Sequence, residues 1–212
     1  MNGPVAKHGG RSLAPPSPAD ARSAFESQVR ENYGRVAYSH KTHLKMADKL
    51  SARQSRYKVA QIILSALITS GIVGTLVVDQ KWLGVVTALV SMGQLALSSY
   101  LKDVNPGAVA ALHCDAASEL WGVREDFLSL IADARDPSTP LEDLKARRAV
   151  VQERLTKIYK GAPQTDGDAY RKAQIALQQN EELTFSEAEL DRLLPPSLRR
   201  GGEPITTPQA QQ

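Results

Sequence analysis

The chain has 212 residues, a net charge of +3 and a single cysteine, Cys114. This length allows one or two ordinary domains, and one cysteine excludes an intrachain disulfide, as is typical of a reducing compartment. The modest mean hydropathy hides a short apolar centre between long polar flanks.

The charge is unevenly distributed along the chain. Eleven Lys and Arg residues and four acids precede Val59, so this part carries +7 and the remainder carries −4. A basic part beside an apolar centre favours contact with a membrane surface or another acidic partner.

The two ends have the composition of unstructured tails. Residues 1–20 are rich in Pro, Gly and Ser and lack the apolar core of a secretory signal, and residues 199–212 are similar. We expect both tails to be disordered.

Residues 21–57 predict a basic, amphipathic cytoplasmic helix that can continue into the apolar centre. No proline interrupts this stretch, and its less polar positions recur at spacings of three and four. They are Phe25, Val29, Tyr33, Val36, His40, Leu44, Ala47 and Leu50.

Residues 58–101 predict a transmembrane hairpin. Two uncharged runs of about twenty residues, Val59 to Val78 and Trp82 to Leu101, each reach roughly 30 Å as a helix, the thickness of the hydrocarbon layer. The link Asp79 to Lys81 is so short that the helices must be antiparallel, and Trp82 suits the interface as an aromatic anchor. The alternative, a buried hairpin in a soluble helical protein, is disfavoured by two such runs in so short a chain.

Positive charge on the flanks predicts the orientation of the hairpin. Arg53, Arg56, Lys58 and Lys102 form a lipid-facing basic flank, whereas the far-side turn holds only Asp79 and Lys81. Positive flanks stay in the cytoplasm, so both termini are expected there.

The two spans differ in their small and polar residues. In the first span, Ala66, Ser70 and Gly74 recur every four residues beside Gly71, a pattern that lets helices pack closely. In the second span one helical face carries polar side chains, which should avoid lipid and face either another helix or water. A water-filled path would require an oligomer, because two helices cannot enclose one. This polar face comprises Thr87, Ser91, Gln94 and Ser98.

Residues 106–198 predict a cytoplasmic helical region. Apolar stripes extend from Val109 to Ala134 and from Leu141 to Ile158, with Thr139 expected as the N-cap of the second helix. Further helices are expected around 168–183 and 186–194. With no strand signal, the fold class is an all-α membrane protein, with a two-helix transmembrane hairpin and long amphipathic cytoplasmic helices that form a bundle.

Motifs for enzymatic chemistry are missing from the sequence. It has no phosphate loop, no Gly-rich dinucleotide turn and no zinc-type cysteine cluster. His40 and His43 lie one helical turn apart without a third ligand, and His113 and Cys114 point apart as helical neighbours. We therefore expect no catalytic residue, no metal and no cofactor. For the basic residues, anionic lipid is a nearer partner than nucleic acid.

The segment YKGAPQTDGDAYRKAQIALQQNEELTFSEAELDRLLP, Tyr159 to Pro195, resembles the end of the SLATT family, the SMODS- and SLOG-associating two-transmembrane effector domains of bacteria. The order of basic helix, hairpin and long helices is also similar, from about Phe25 to Leu198. The resemblance implies a non-enzymatic effector in the inner membrane. Its role would be nucleotide-signalled anti-phage defence, in which an oligomeric pore or membrane disruption kills the infected cell.

We expect no sensor domain within these 212 residues, so the resemblance further implies a separate activator. This would be a nucleotide second-messenger synthase or sensor acting in trans, or a ligand of the cytoplasmic helices. Two other functions stay open on the sequence alone. One is a membrane-anchored scaffold that recruits a soluble defence partner, and the other is a soluble helical protein that binds nucleic acid.

Overall fold

The computed structural model describes residues 17–77, 81–195 and 199–200, which form six helices and contain no strand. The all-helical prediction is therefore confirmed for this part of the chain. The predicted tails lie almost wholly outside the described residues, as does Asp79 of the expected turn. The helices are α1 Pro18–Val77, α2 Lys81–Val104, α3 Pro106–Arg135, α4 Leu141–Gly161, α5 Gly167–Gln178 and α6 Glu187–Leu193.

Helix α1 begins inside the segment that was expected to be a tail. Pro18 stands at its first position, where a missing N–H costs nothing. The Ser17 hydroxyl accepts from the Asp20 N–H at 3.2 Å, and the Asp20 carboxylate accepts from the Ser17 N–H at 3.2 Å. This reciprocal capping fixes the start of a helix that continues without a break through the basic segment into the first apolar run.

A single residue separates α2 from α3. Asn105 has a φ of 36°, in the left-handed region that Asn tolerates better than most residues. Its side-chain oxygen accepts from the Ala108 N–H at 3.2 Å, and Pro106 opens α3. The second apolar helix therefore ends in a one-residue turn whose geometry is set by Asn105 and Pro106.

The chain divides into two compact units, and the first comprises Met1–His40 and Cys114–Pro163. Its core joins one face each of α1, α3 and α4, the three helices whose apolar stripes the sequence shows. Phe127, Leu120 and Val123 are fully buried at its centre. The core residues are Phe25, Val29, Val36, Leu120, Val123, Phe127, Leu130, Ala134, Leu144, Val151, Leu155 and Ile158.

The second unit comprises Lys41–His113 and Gln164–Gln212. It contains the two apolar helices and α5. Helix α5 buries only alanines, Ala169, Ala173 and Ala176, at a spacing that places them on one face. Asp166 caps this helix by accepting from the Ala169 N–H at 2.8 Å.

Two predicted helix ends are wrong in detail. The N-cap position of α4 is Pro140 rather than Thr139, and no side chain caps this helix. Helix α5 ends at Gln178 rather than near Leu183, because Glu181 turns to a positive φ of 50° and the Glu182 N–H bonds back to the Ala176 carbonyl. Helix α6 has the capping box formed by Ser186 and Glu189.

Candidate functional site: the membrane helix pair

The contacts between α1 and α2 follow one antiparallel register. Moving along α1 from Gln61 to Ser65 to Gly71, the partner in α2 moves back from Ser98 to Gln94 to Thr87. Two apolar helices therefore lie side by side in opposite directions within the second unit.

Two glycines bring the helices close together. A Cβ on Gly71 would overlap the Thr87 hydroxyl, and a Cβ on Gly74 would lie 2.8 Å from a Leu83 methyl carbon. Both glycines therefore face α2, whereas Ala66 and Ser70, also predicted for helix packing, are exposed. Gly71 and Gly74 therefore contribute to the pair, and the roles of Ala66 and Ser70 in helix packing stay predictions.

The polar face of α2 is turned toward α1. Thr87 and Ser91 donate to carbonyls of their own helix at 2.9 and 2.8 Å. The Gln94 amide donates to the Ser65 hydroxyl at 2.9 Å, and the Gln61 amide donates to the Ser98 hydroxyl at 3.1 Å. All four predicted residues of this face are half-buried.

The interface between the helices, which we name the polar seam, comprises Gln61, Ser65, Gly71, Thr87, Ser91, Gln94 and Ser98. One of its groups is left over, because the side-chain carbonyl oxygen of Gln94 is buried and has no hydrogen-bond partner within the described residues. An unpaired buried carbonyl is costly, so this packing of the seam leaves one hydrogen bond of Gln94 unmade.

The outer surfaces of both helices are apolar and exposed. Ile62 is 68% exposed and Leu95 is 69% exposed, and other large aliphatic side chains behave similarly. Both helices are long and apolar enough to cross a membrane, and none of the residues in their most apolar windows is buried. Such a surface is unfavourable in water and suited to lipid.

The predicted basic flank divides into two kinds of residue. Arg53 is half-buried. Its guanidinium donates to the Tyr57 hydroxyl at 2.9 Å and to the Tyr100 hydroxyl at 3.3 Å. The first of these hydrogen bonds is the main reason that the pKa of Arg53 is raised. Arg56, Lys58 and Lys102 are exposed, as is Lys81 at the other end of α2.

Three lysines of α1 that precede this flank are ion-paired with the C-terminal part of the chain. We call Lys41, Lys45 and Lys49 the lysine ladder, because their spacing of four places them on one helical face. Lys41 and Lys45 pair with Glu182, and Lys49 lies 2.7 Å from an oxygen of Asp166 and 3.3 Å from one of Asp168. Sequence reasoning missed these pairs, and the acidic DGD and NEE motifs were the available signal.

A buried histidine pair was also missed. His43 and His113 are 5% and 1% exposed, and their Nδ1 atoms lie 2.9 Å apart, so one ring donates to the other. His40, which the sequence groups with His43, instead forms a hydrogen bond to the Ala117 carbonyl at 2.9 Å. The pairing joins α1 to the start of α3, over a sequence separation that no local pattern reveals.

Burial lowers the pKa of His113 from 6.5, with a weaker opposing effect of Asp166. The folded protein therefore disfavours the protonated ring, and the stability that depends on neutral His113 is lost as pH falls below 6.5. We expect the thermal midpoint of the protein in detergent to fall between pH 7 and pH 5.5. The His113→Gln variant should show a smaller fall over the same range, and an equal fall in both proteins would contradict this role of His113.

The fold and the helix pair define a class: an all-helical protein with two helices suited to span a membrane. A family model for the SMODS and SLOG-associating 2TM effector domain, family 4, matches residues 25–189. The chain therefore belongs to this family of two-transmembrane effector domains, as the resemblance of its sequence predicts. Searches of curated proteins and of solved structures gave no match.

Proposed function

We propose that the protein is a membrane effector that oligomerises and permeabilises the inner membrane of a bacterium, causing the death of a phage-infected cell. Family membership supports an effector role at a membrane. The polar seam supports permeabilisation, because it places four hydrogen-bonding side chains on one face of the apolar helix α2, from Thr87 to Ser98.

The observation that carries this proposal is the state of Gln94. Its amide group bonds to Ser65, yet its carbonyl oxygen is buried without a partner. In a single hairpin the polar face is closed by α1. In an activated oligomer the helices would turn, so that Thr87, Ser91, Gln94 and Ser98 line a path and the Gln94 carbonyl reaches water or a neighbouring subunit.

The remaining features of the proposal follow from charge and family. The basic residues Arg56, Lys58 and Lys102 are exposed and would contact anionic headgroups on the cytoplasmic side. Their positive charge would keep both termini in the cytoplasm. At the outer mouth, Asp79 and Lys81 would form a ring of charge. We propose that the protein is not an enzyme and that activation comes from a nucleotide second-messenger synthase or sensor acting in trans.

A second candidate function is a membrane-anchored scaffold that recruits a soluble partner through its cytoplasmic helices. It is favoured by the hydrogen bonds of the seam, because Gln94 with Ser65 and Gln61 with Ser98 hold the two helices together without any oligomer. In this case the hairpin only tethers the protein.

The double variant Ser91→Ala with Gln94→Leu distinguishes these functions. It removes polar groups from the seam while adding little bulk, so the hairpin should still form. We expect bacteria that express the double variant to give at least about tenfold more viable cells than bacteria that express the unmodified protein. The reason is that a path lined by apolar side chains resists hydration.

The matched control is Ser99→Ala, which changes an exposed serine of the same helix. Membrane-fraction immunoblots should show equal amounts of all three proteins. Undiminished toxicity of the double variant at equal expression would support the tethering function and contradict a polar path.

A further inference from the structure

The segment from Asp166 to Glu182, which we call the strap, is held against α1 mainly by charge. Glu182 at its end pairs with Lys41 and Lys45, while Asp166 and Asp168 at its start pair with Lys49. The three carboxylates thus neutralise the complete lysine ladder. Hydrogen bonds from Lys41 to Glu182 and from Lys49 to Asp166 and Asp168 are the main reason that the pKa of each carboxyl is lowered.

The apolar part of this contact is small. Helix α5 has twelve residues, and it buries three alanines fully and Leu177 partly, whereas the core of the first unit contains phenylalanine, leucine and valine side chains. A helix of this length is marginal by itself. The ion pairs of Lys49 join half-exposed side chains, so they add little and are screened by salt, whereas the Lys41–Glu182 pair is more shielded because Lys41 is buried. With so little apolar contact, the strap depends on these ion pairs for its attachment.

The position of the lysine ladder makes a purely lipid-binding role unfavourable. At about 1.5 Å per residue, Lys49 lies roughly 13 Å and Lys41 roughly 25 Å along α1 from Lys58, which adjoins the first span. Headgroup attraction falls off within about one Debye length, roughly 8 Å at physiological salt. The ladder is therefore placed to bind the strap rather than the membrane surface.

We propose that the strap is an autoinhibitory contact whose release removes one restraint on α1 and so favours repacking of the helices of the membrane pair. This inference rests on the proposed function, because the membrane activity it restrains is that permeabilisation. Helix α1 carries the lysine ladder and one side of the polar seam on the same continuous helix. A strap bound to α1 thus resists any rotation of α1 about its own axis, since rotation would carry the lysines away from Glu182, Asp166 and Asp168.

The strap should remain closed across the physiological pH range. The pKa of each strap carboxyl is lowered from its ordinary value, which is 3.8 for Asp and 4.5 for Glu. The stability that these carboxylates give is therefore fully present above those pH values and is lost only as the pH falls through the lower pKa of the folded protein. The raised pKa of Lys49, caused mainly by its hydrogen bond to Asp166, gives stability that is lost only above 10.5. Release at neutral pH must therefore come from salt, a competing ligand or a partner.

Hydrogen exchange of the full-length protein in lipid nanodiscs tests the release directly. Glu182→Lys replaces an attraction for Lys41 and Lys45 by a repulsion, so peptides covering 167–178 should exchange about tenfold faster at low salt. Raising NaCl from about 0.05 M to about 0.5 M shortens the Debye length roughly threefold and should accelerate the same peptides in the unmodified protein. Peptides covering 120–134 should not change.

Glu181→Lys is the matched control, because Glu181 is the neighbouring exposed carboxylate and forms no ion pair within the described residues. Lys49→Gln is a second variant that loosens the other end of the strap and leaves the Glu182 segment intact. Two results would overturn the proposal. One is an equal exchange rate of α5 in Glu182→Lys and Glu181→Lys. The other is a rise in the exchange rate of α5 that is matched by an equal rise in residues 120–134.

Dye leakage from vesicles tests the inhibitory role separately. Glu182→Lys should raise the leakage rate severalfold above that of Glu181→Lys, and faster exchange without a change in leakage would overturn autoinhibition. If no variant leaks at all, the permeabilising function fails, whereas the exchange result still decides whether the strap is a releasable contact.

Discussion

Replacing Gly71 by leucine is expected to separate the two apolar helices. A Cβ alone at this position would overlap the Thr87 hydroxyl, so a leucine forces α1 and α2 apart or out of register. Overpacking of this kind costs about 1–3 kcal/mol or more, and the seam hydrogen bonds would be lost in addition. The variant should lose the close contact between the two helices and should lose membrane activity.

Cysteines placed at Ser65 and Gln94 report on this pair, because these side chains are in hydrogen-bond contact. In a Cys114→Ser background, a short bifunctional thiol reagent should join them within one chain and shift the mobility of the protein on a gel. Gly71→Leu should abolish the cross-link. Gly93→Leu should keep it, because a Cβ on Gly93 meets nothing within 4 Å. A cross-link of normal yield in Gly71→Leu would contradict the packing of the seam.

Replacing Phe127 by alanine is expected to give the largest loss of stability in the first unit. Phe127 is fully buried in the cluster that joins α1, α3 and α4. Removing a phenyl ring from such a site costs about 3–5 kcal/mol, through lost burial and the cavity left behind. This is a large share of the roughly 5–15 kcal/mol that stabilises a typical domain.

Denaturation in detergent, followed by the fluorescence of Trp121 in a Trp82→Phe background, measures this loss. Phe185→Ala is the matched control, since Phe185 is 61% exposed and its truncation should change the free energy of unfolding by less than about 0.5 kcal/mol. Equal unfolding midpoints for the two alanine variants would contradict the assignment of the core.

The sequence predicted those features that depend on local periodicity. Uncharged runs of about twenty residues predict α2 and the end of α1, and spacings of three and four predict the faces of α3 and α4 that meet in the core. It also placed Thr87, Ser91, Gln94 and Ser98 on one face, because helical geometry fixes which residues share a side.

Contacts between distant segments could not be predicted in this way. The pairing of His43 with His113 and of Lys41 with Glu182 depends on how the helices pack, which no single stretch encodes. For the same reason, the sequence could not tell which small residues of α1 lie closely against α2. Gly71 and Gly74 face α2 closely, whereas Ala66 and Ser70 are exposed, although all four fit a pattern of close helix packing. The early end of α5 follows from the backbone turn at Glu181, a residue that does not usually mark a helix end.

The central claim is that this helix pair permeabilises a membrane. Its most direct test is the release of a small dye from vesicles of bacterial lipid that contain the purified protein, compared at equal protein content with the Ser91→Ala, Gln94→Leu double variant. We predict a low basal leakage from the unmodified protein, in which the strap is closed, a severalfold higher leakage from Glu182→Lys, and less leakage from the double variant than from either. The absence of leakage from the unmodified protein and from Glu182→Lys alike would contradict the claim.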